Sequence, residues 1–186
     1  MKSLVAFFLA TALLASVGAY ADPYSDTVEL FKNAGESAAF FHNCYGYAVF
    51  PTVGKGGLVV GGAYGTGHVF AQGKYTGDAA VTQLSVGFQA GGQAYSQIVF
   101  FENKTAYDEF TNGSFEFGAD VGAVAITAAA SATAGTTGAS ATASGGRKDA
   151  VTTGRYYKGM AVFVIVKGGA MYQATLAGQK FRFTAK

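Results

Sequence analysis

Side chains able to do covalent or metal chemistry are few in this 186-residue chain: two histidines, His42 and His68, and one cysteine, Cys44. His42-Asn43-Cys44 offers two ligands, but a structural zinc site takes four, and the chain has no second pair to complete it. A thiol nucleophile at Cys44 would need a base and a group to orient that base, and no spacing ties either histidine to that role. The run Gly61-Gly62-Ala63-Tyr64-Gly65-Thr66-Gly67 lacks the Gly-x-Gly-x-x-Gly order of a dinucleotide loop and the Gly-Lys-Ser/Thr of a phosphate loop, and no crossover helix follows it. Asp108, Glu109, Glu116 and Asp120 are scattered, with no apolar pocket implied that would drive two carboxyl pKa values apart. These residues predict a protein that is not an enzyme and that has no metal and no cofactor.

Binding groups are better represented. Arg147, Lys148, Arg155 and Lys158 recur close together beside Tyr156 and Tyr157, a mixture that suits an anionic headgroup or phosphate and equally suits a solvated loop. Overall charge is close to balance, with 13 Lys and Arg against 11 Asp and Glu, which excludes an ordinary basic nucleic-acid binder.

The elements that must carry these groups are mostly strands. Half of the residues are hydrophobic, 27 are glycine and 2 are proline, a composition that suits a β-rich domain with tight turns and close backbone contacts. Asp22 to Phe41 has helical spacing, with Val28, Phe31, Ala34, Ala38 and Phe41 on one face, Ser25 as N-cap and Gly35 as the weak point. Short β-like runs follow at 45–50, 57–64, 68–75, 81–89 and 94–101, with turns expected at Pro51 and Gly54, at Gly65 and Gly67, at Gly77-Asp78 and at Gly91-Gly92. A short helix is expected over 103–110, capped by Asn103, and three further strands over 160–166, 170–176 and 180–184. Between them Ala130-Ser131-Ala132-Thr133-Ala134 repeats as Ala139-Ser140-Ala141-Thr142-Ala143 around Gly135-Thr136-Thr137-Gly138, which reads as a hairpin or as a small-residue linker.

Ahead of all this, Lys2 precedes an apolar stretch from Leu4 to Ala15, and Ala19-Tyr20-Ala21 places small residues where a signal peptidase cuts. The pattern predicts a signal peptide over 1–21 and a single domain over 22–186, exported to the periplasm or secreted. A lone cysteine makes no internal disulfide, so this domain must stand on packing.

The run from Phe50 through Lys55-Gly56-Gly57 to Gly67 resembles the opening of the SYLF domain, a lipid-binding module of bacteria and of eukaryotic membrane-trafficking proteins. Leu84 to Gln93, Phe115 to Asp120 and Tyr157-Lys158-Gly159-Met160 continue that resemblance, which spans roughly residues 43–176. It implies a non-catalytic domain that associates with anionic phospholipid, peripheral to a membrane. Lys55, Arg147, Lys148, Arg155 and Lys158 are the headgroup contacts this suggests. In some members a basic N-terminal helix is held responsible for lipid contact; here the matching helix carries Asp26, Glu29 and Glu36 against Lys32, so an anionic surface should repel it. The expected architecture is α+β and mainly antiparallel: a β-sandwich or barrel-like domain with an N-terminal amphipathic helix and one short internal helix. The second reading is a structural or protein-interaction module of the periplasm that offers a glycine-rich sheet edge to a partner in the envelope.

Overall fold

The computed structural model describes residues 22–57, 60–86, 92–117, 124–126, 155–168 and 178–186. The expected signal peptide, the 130–143 repeat and the expected strand at 170–176 lie outside the described residues.

The helical stretch after Ala21 forms in three pieces. Helix α1 (Pro23–Lys32) is followed by a 3-10 turn (Gly35–Ala39) and by the single-turn helix α2 (Phe40–Asn43). The cap is Asp22, not Ser25. Its carboxylate accepts from the Tyr24 and Ser25 amides at 3.3 and 3.2 Å and from the Ser25 hydroxyl at 2.8 Å, while Pro23 supplies a preset φ at the first helical position. Gly35 sits at φ +44°, the left-handed region that glycine enters at no steric cost, and there the helix breaks.

Eight strands form one sheet: β1 (Gly46–Gly57), β2 (Val60–Ala71), β3 (Lys74–Val86), β4 (Gly92–Phe101), β5 (Ser114–Glu116), β6 (Val124–Ile126), β7 (Met160–Gly168) and β8 (Gln179–Ala185). Their order is β5-β8-β3-β2-β1-β4-β7-β6. Neighbours are antiparallel except for β6 and β7, which run parallel. The α+β, mainly antiparallel expectation holds, and the sheet is open, its ladder ending at β5 and β6 among the described residues.

Three expected turns are strand interiors instead. Pro51 is absorbed where the register of β1 shifts between Val49 and Thr52, since an irregularity is where a sheet tolerates a missing amide. Gly65, Gly67 and Gly77 lie within β2 and β3. A Cβ on Gly67 would come within 2.5 Å of the Phe50 ring, and one on Gly65 within 2.8 Å of Thr52 O, so these glycines admit a neighbour. The β2–β3 turn is Gln72-Gly73, at φ 50° and 75° between paired Ala71 and Lys74, a two-residue hairpin whose twist matches its strands.

The sheet coils on itself. Between β8 and β1 stand two strands, so in a flat sheet they would lie about 14 Å apart. Phe181 of β8 nevertheless meets Phe50 of β1 at 5.6 Å between ring centroids. Between β8 and β4 stand three, and Gln179 hydrogen-bonds Gln97 at 3.0 Å. The curl is barrel-like, and the small residues on β2 let Phe50 reach across it.

Alternation along the strands divides the core. Ala48, Phe50, Val53, Val81, Val99, Phe101, Val162, Val164 and Phe181 fill the concave side. Val49, Ile98, Phe100, Ala161, Phe163 and Ile165 form the convex side, which Val28 and Phe31 of α1 and Phe40 and Phe41 of α2 cover. Helix α3 (Lys104–Thr111) closes one end of the concave side, with Phe110 against Phe101 and Phe181. Its cap is Asn103, whose Oδ1 accepts from the Ala106 amide at 3.0 Å. Asn103→Ala should therefore lower stability by about 1 kcal/mol in a urea melt; no change would show that packing alone sets the start of α3.

Candidate functional site

Of the expected headgroup residues, Arg155 and Lys158 come together on one hairpin. Tyr157 and Met160 exchange backbone hydrogen bonds of 2.8 and 3.0 Å around Lys158 at φ 49° and Gly159 at φ 75°. This is again a two-residue turn, and Lys158 stands at its tip. A Cβ on Gly159 would come within 2.9 Å of Ala106, so the tip rests against α3. The Lys158 ammonium lies 5.3 Å from the Tyr157 ring centre, and Tyr157 is 42% exposed. Arg155 is exposed as well.

Tyr156 turns the other way, edge-on to Phe40 of α2 at 5.0 Å. Between them opens a groove of about 430 Å³ lined by Ala39, Phe40, Asn43, Glu102, Arg155 and Tyr156. The Tyr156 hydroxyl is buried without a hydrogen-bond partner, and burial pushes its pKa well above the phenol range. Chemically the groove is an apolar aromatic wall with a guanidinium and a carboxylate among its lining groups. It suits a molecule with an apolar part and a polar part.

Lys55 is elsewhere. The Lys158 tip leads into Met160, which pairs with Phe101, itself opposite Gly46 at the start of β1. Lys55 is nine residues along β1 from Gly46, or about 30 Å, and it shares the buried, concave-facing phase of Val53. Arg147 and Lys148 lie outside the described residues.

Helix α1 turns its apolar side to the sheet through Val28 and Phe31, and its Lys32 is 2.7 Å from Glu29. No helix among the described residues is long and apolar enough to cross a membrane.

The remaining reactive groups are dispersed. His42 is exposed at the end of α2, whereas His68 of β2 stacks on Tyr24 at 3.4 Å with Asp78 at 3.4 Å from its Nε2. Cys44 is half-buried, and burial raises its thiol pKa, the reverse of what a nucleophile requires.

Sequence reasoning missed Phe40 and Glu102 as groove residues. No local signal marks Phe40 in that role, since its ring, like that of Phe41, also packs on Phe100 of the sheet.

A curled α+β sheet module that presents an aromatic groove and a basic hairpin tip is what the fold and its surface define. The family model described as Ysc84, Las17-binding protein actin regulator, matches residues 82–182, and the chain belongs to this family, the one to which the SYLF resemblance points. It is also similar to Beta cell expansion factor A of Aeromonas veronii, at 28% identity over 158 residues that cover 83% of this chain and 51% of that protein. The chain thus spans about half the length of that relative.

Proposed function

We propose that this protein is a non-catalytic lipid-binding module of the bacterial envelope, exported by its leader and held at a membrane surface by anionic phospholipid headgroups. The observation that carries the reading is the pairing of Arg155 and Lys158, beside exposed Tyr157, with the aromatic groove between Tyr156 and Phe40. Cations flanking an exposed tyrosine suit the headgroup layer, where an aromatic ring has one wet and one apolar end. Membership of the Ysc84 family supports a binding role of this kind. The alternative of a glycine-rich sheet edge finds less support, because β1 and β2 are each paired on both sides.

Sedimentation with vesicles tests this. The protein should pellet with phosphatidylglycerol-containing vesicles and not with purely neutral ones, and release should follow rising salt. Each basic residue near an anionic surface contributes about 1 kcal/mol, so the double variant Arg155→Gln, Lys158→Gln should bind about 30-fold more weakly. Binding unchanged in that variant would remove the site assignment, and a protein left in the supernatant with every vesicle would remove the lipid reading.

A further inference from the structure

Strand β8 is covered on one side only in part. It pairs with β3 from Gln179 to Ala185, whereas β5 pairs with it only from Lys180 to Arg182. Past Arg182, no strand among the described residues lies on that side. In an antiparallel ladder the backbone groups of successive residues face opposite neighbours, and two bonds fix the phase here. The Lys186 amide donates to Thr76 O of β3 at 3.0 Å, and Gln179 O accepts from the Phe117 amide, just past β5, at 2.9 Å. Even-numbered positions of β8 therefore face β3, and odd-numbered positions face the outer edge. Phe183 and Ala185 turn both amide and carbonyl outward, with no backbone partner among the described residues. Thr184, Ala185 and Lys186 are exposed.

The side chains beside this edge sort by the same alternation. Phe183 lies against the concave core and is only partly buried, whereas Arg182, Thr184 and Lys186 share the convex side. Arg182 and Thr184 line a groove of about 380 Å³ together with Tyr24, His68 and Asp78. Arg182 pairs with no carboxylate among the described residues. Asp78 is engaged elsewhere: it accepts from the Tyr75 hydroxyl at 2.8 Å and lies 3.4 Å from His68 Nε2.

These charges choose the occupant. A second copy adding through the same edge would set Phe183 opposite Ala185 of that copy, and the same register sets Arg182 opposite Lys186 in both halves. Like charges directly opposite each other work against such a pair. An incoming strand with carboxylates at alternate positions meets attraction on the convex side instead, and its intervening residues fall beside the partly buried Phe183 ring, where apolar side chains are favoured.

We propose that the outer edge of β8 from Phe183 to Ala185 takes a strand from an acidic protein partner, an extended segment in which Asp or Glu alternates with apolar residues. Backbone bonds to Phe183 and Ala185 supply affinity, and Arg182 with its groove supplies the selection. This edge is distinct from the glycine-rich strands β1 and β2, and it does not depend on the lipid contact at Arg155 and Lys158.

The test uses the full-length protein and a fluorescein-labelled peptide, Thr-Val-Glu-Val-Glu-Val-Thr, against its counterpart Thr-Val-Lys-Val-Lys-Val-Thr, with binding read by fluorescence anisotropy. Wild type should prefer the acidic peptide by about 5-fold or more, and the preference should shrink as salt rises. Ala185→Pro deletes an amide that bonds nothing within the fold, a substitution that an edge tolerates, so it should melt with wild type and bind about 10-fold more weakly. Arg182→Glu with Lys186→Glu should reverse the preference in favour of the lysine peptide. Arg155→Gln, Lys158→Gln should change neither affinity, while its vesicle pelleting reports separately on the lipid reading. The proposal is overturned if wild type does not prefer the acidic peptide, if the double charge reversal leaves the preference as it was, or if Ala185→Pro melts with wild type and binds as tightly. Should Ala185→Pro melt lower, the charge reversal decides alone. A dimer of the free protein that Ala185→Pro disperses in size-exclusion chromatography would also overturn it, by assigning the edge to a second copy.

Discussion

Phe181→Ala is expected to cost about 4 kcal/mol, the middle of the range for removing a buried phenylalanine, and so to consume much of the roughly 5–15 kcal/mol that a domain of this size has. The ring is 1% exposed and meets Phe50 at 5.6 Å, Phe110 at 5.0 Å and Phe117 at 5.2 Å. Those partners come from β1, from α3 and from the segment after β5. One ring thus holds together the parts of the chain that the curl brings into contact, and a cavity there cannot be closed by shifting one element without opening the contacts of another. Arg182→Ala, at the adjacent exposed position on β8, should stay within about 0.5 kcal/mol of wild type. Urea denaturation of the two variants decides the matter: similar midpoints would mean that β8 contributes pairing and not closure.

That closure shows how far the sequence could be read. The short β-like run Tyr45 to Phe50 and the turn-like glycines pointed to antiparallel strands, and the strands are there, because a short apolar run bounded by turn residues marks a strand buried on both faces. The lengths were misjudged where glycine was taken as punctuation. At Gly67 and Gly77 the residue serves a contact with Phe50 or with β8, partners 17 or more residues away in the chain, and no local pattern announces a neighbour at that separation. The N-terminal helix was legible down to its break at Gly35, since a helix position that tolerates φ +44° is a property of the residue itself. Its cap was misplaced by three residues, because Asp22 and Ser25 are both competent acceptors and Pro23 between them decides in favour of the first.

The site was legible in part for the same reason. Arg155, Tyr156, Tyr157 and Lys158 are neighbours in sequence, so their grouping survives folding into a hairpin. Lys55 was grouped with them only as a headgroup contact that the family resemblance suggests. Strand direction places it at the far end of β1, and strand phase turns it inward, two facts that depend on pairing with β4 and on the register shift near Pro51. Phe40 and Glu102 join the groove through the packing of α2 across β4, which is again long-range.

Gln97 and Gln179 set the second large expectation. Gln97 Nε2 donates to Gln179 Oε1 at 3.0 Å, and Gln179 Nε2 donates to Gln97 Oε1 at 3.2 Å and to the Tyr95 hydroxyl at 3.0 Å. Both amides are fully buried, Tyr95 is 3% exposed, and burial pushes the Tyr95 pKa up to about 12. Each partner left behind by a single substitution keeps its desolvation cost and loses its hydrogen bond, a penalty of about 1–3 kcal/mol per orphaned group. Gln179→Leu strands the Gln97 amide and removes a donor from Tyr95, so it should cost about 3 kcal/mol; Gln97→Leu, which strands only the Gln179 amide, should cost about 2 kcal/mol. Removing all three polar groups together, as Gln97→Leu, Gln179→Leu, Tyr95→Phe, leaves nothing orphaned within the triad and replaces it with apolar side chains of similar size. That triple variant should be more stable than Gln179→Leu alone, and the difference from additivity measures the coupling across the curl. Independent, additive losses from the single variants would mean that β4 and β8 are held by their apolar neighbours and that the amide pair is incidental to closure. Strong coupling would mean that a reciprocal amide bridge, whose geometry tolerates little displacement, fixes how tightly the sheet closes in a way that the surrounding rings alone cannot.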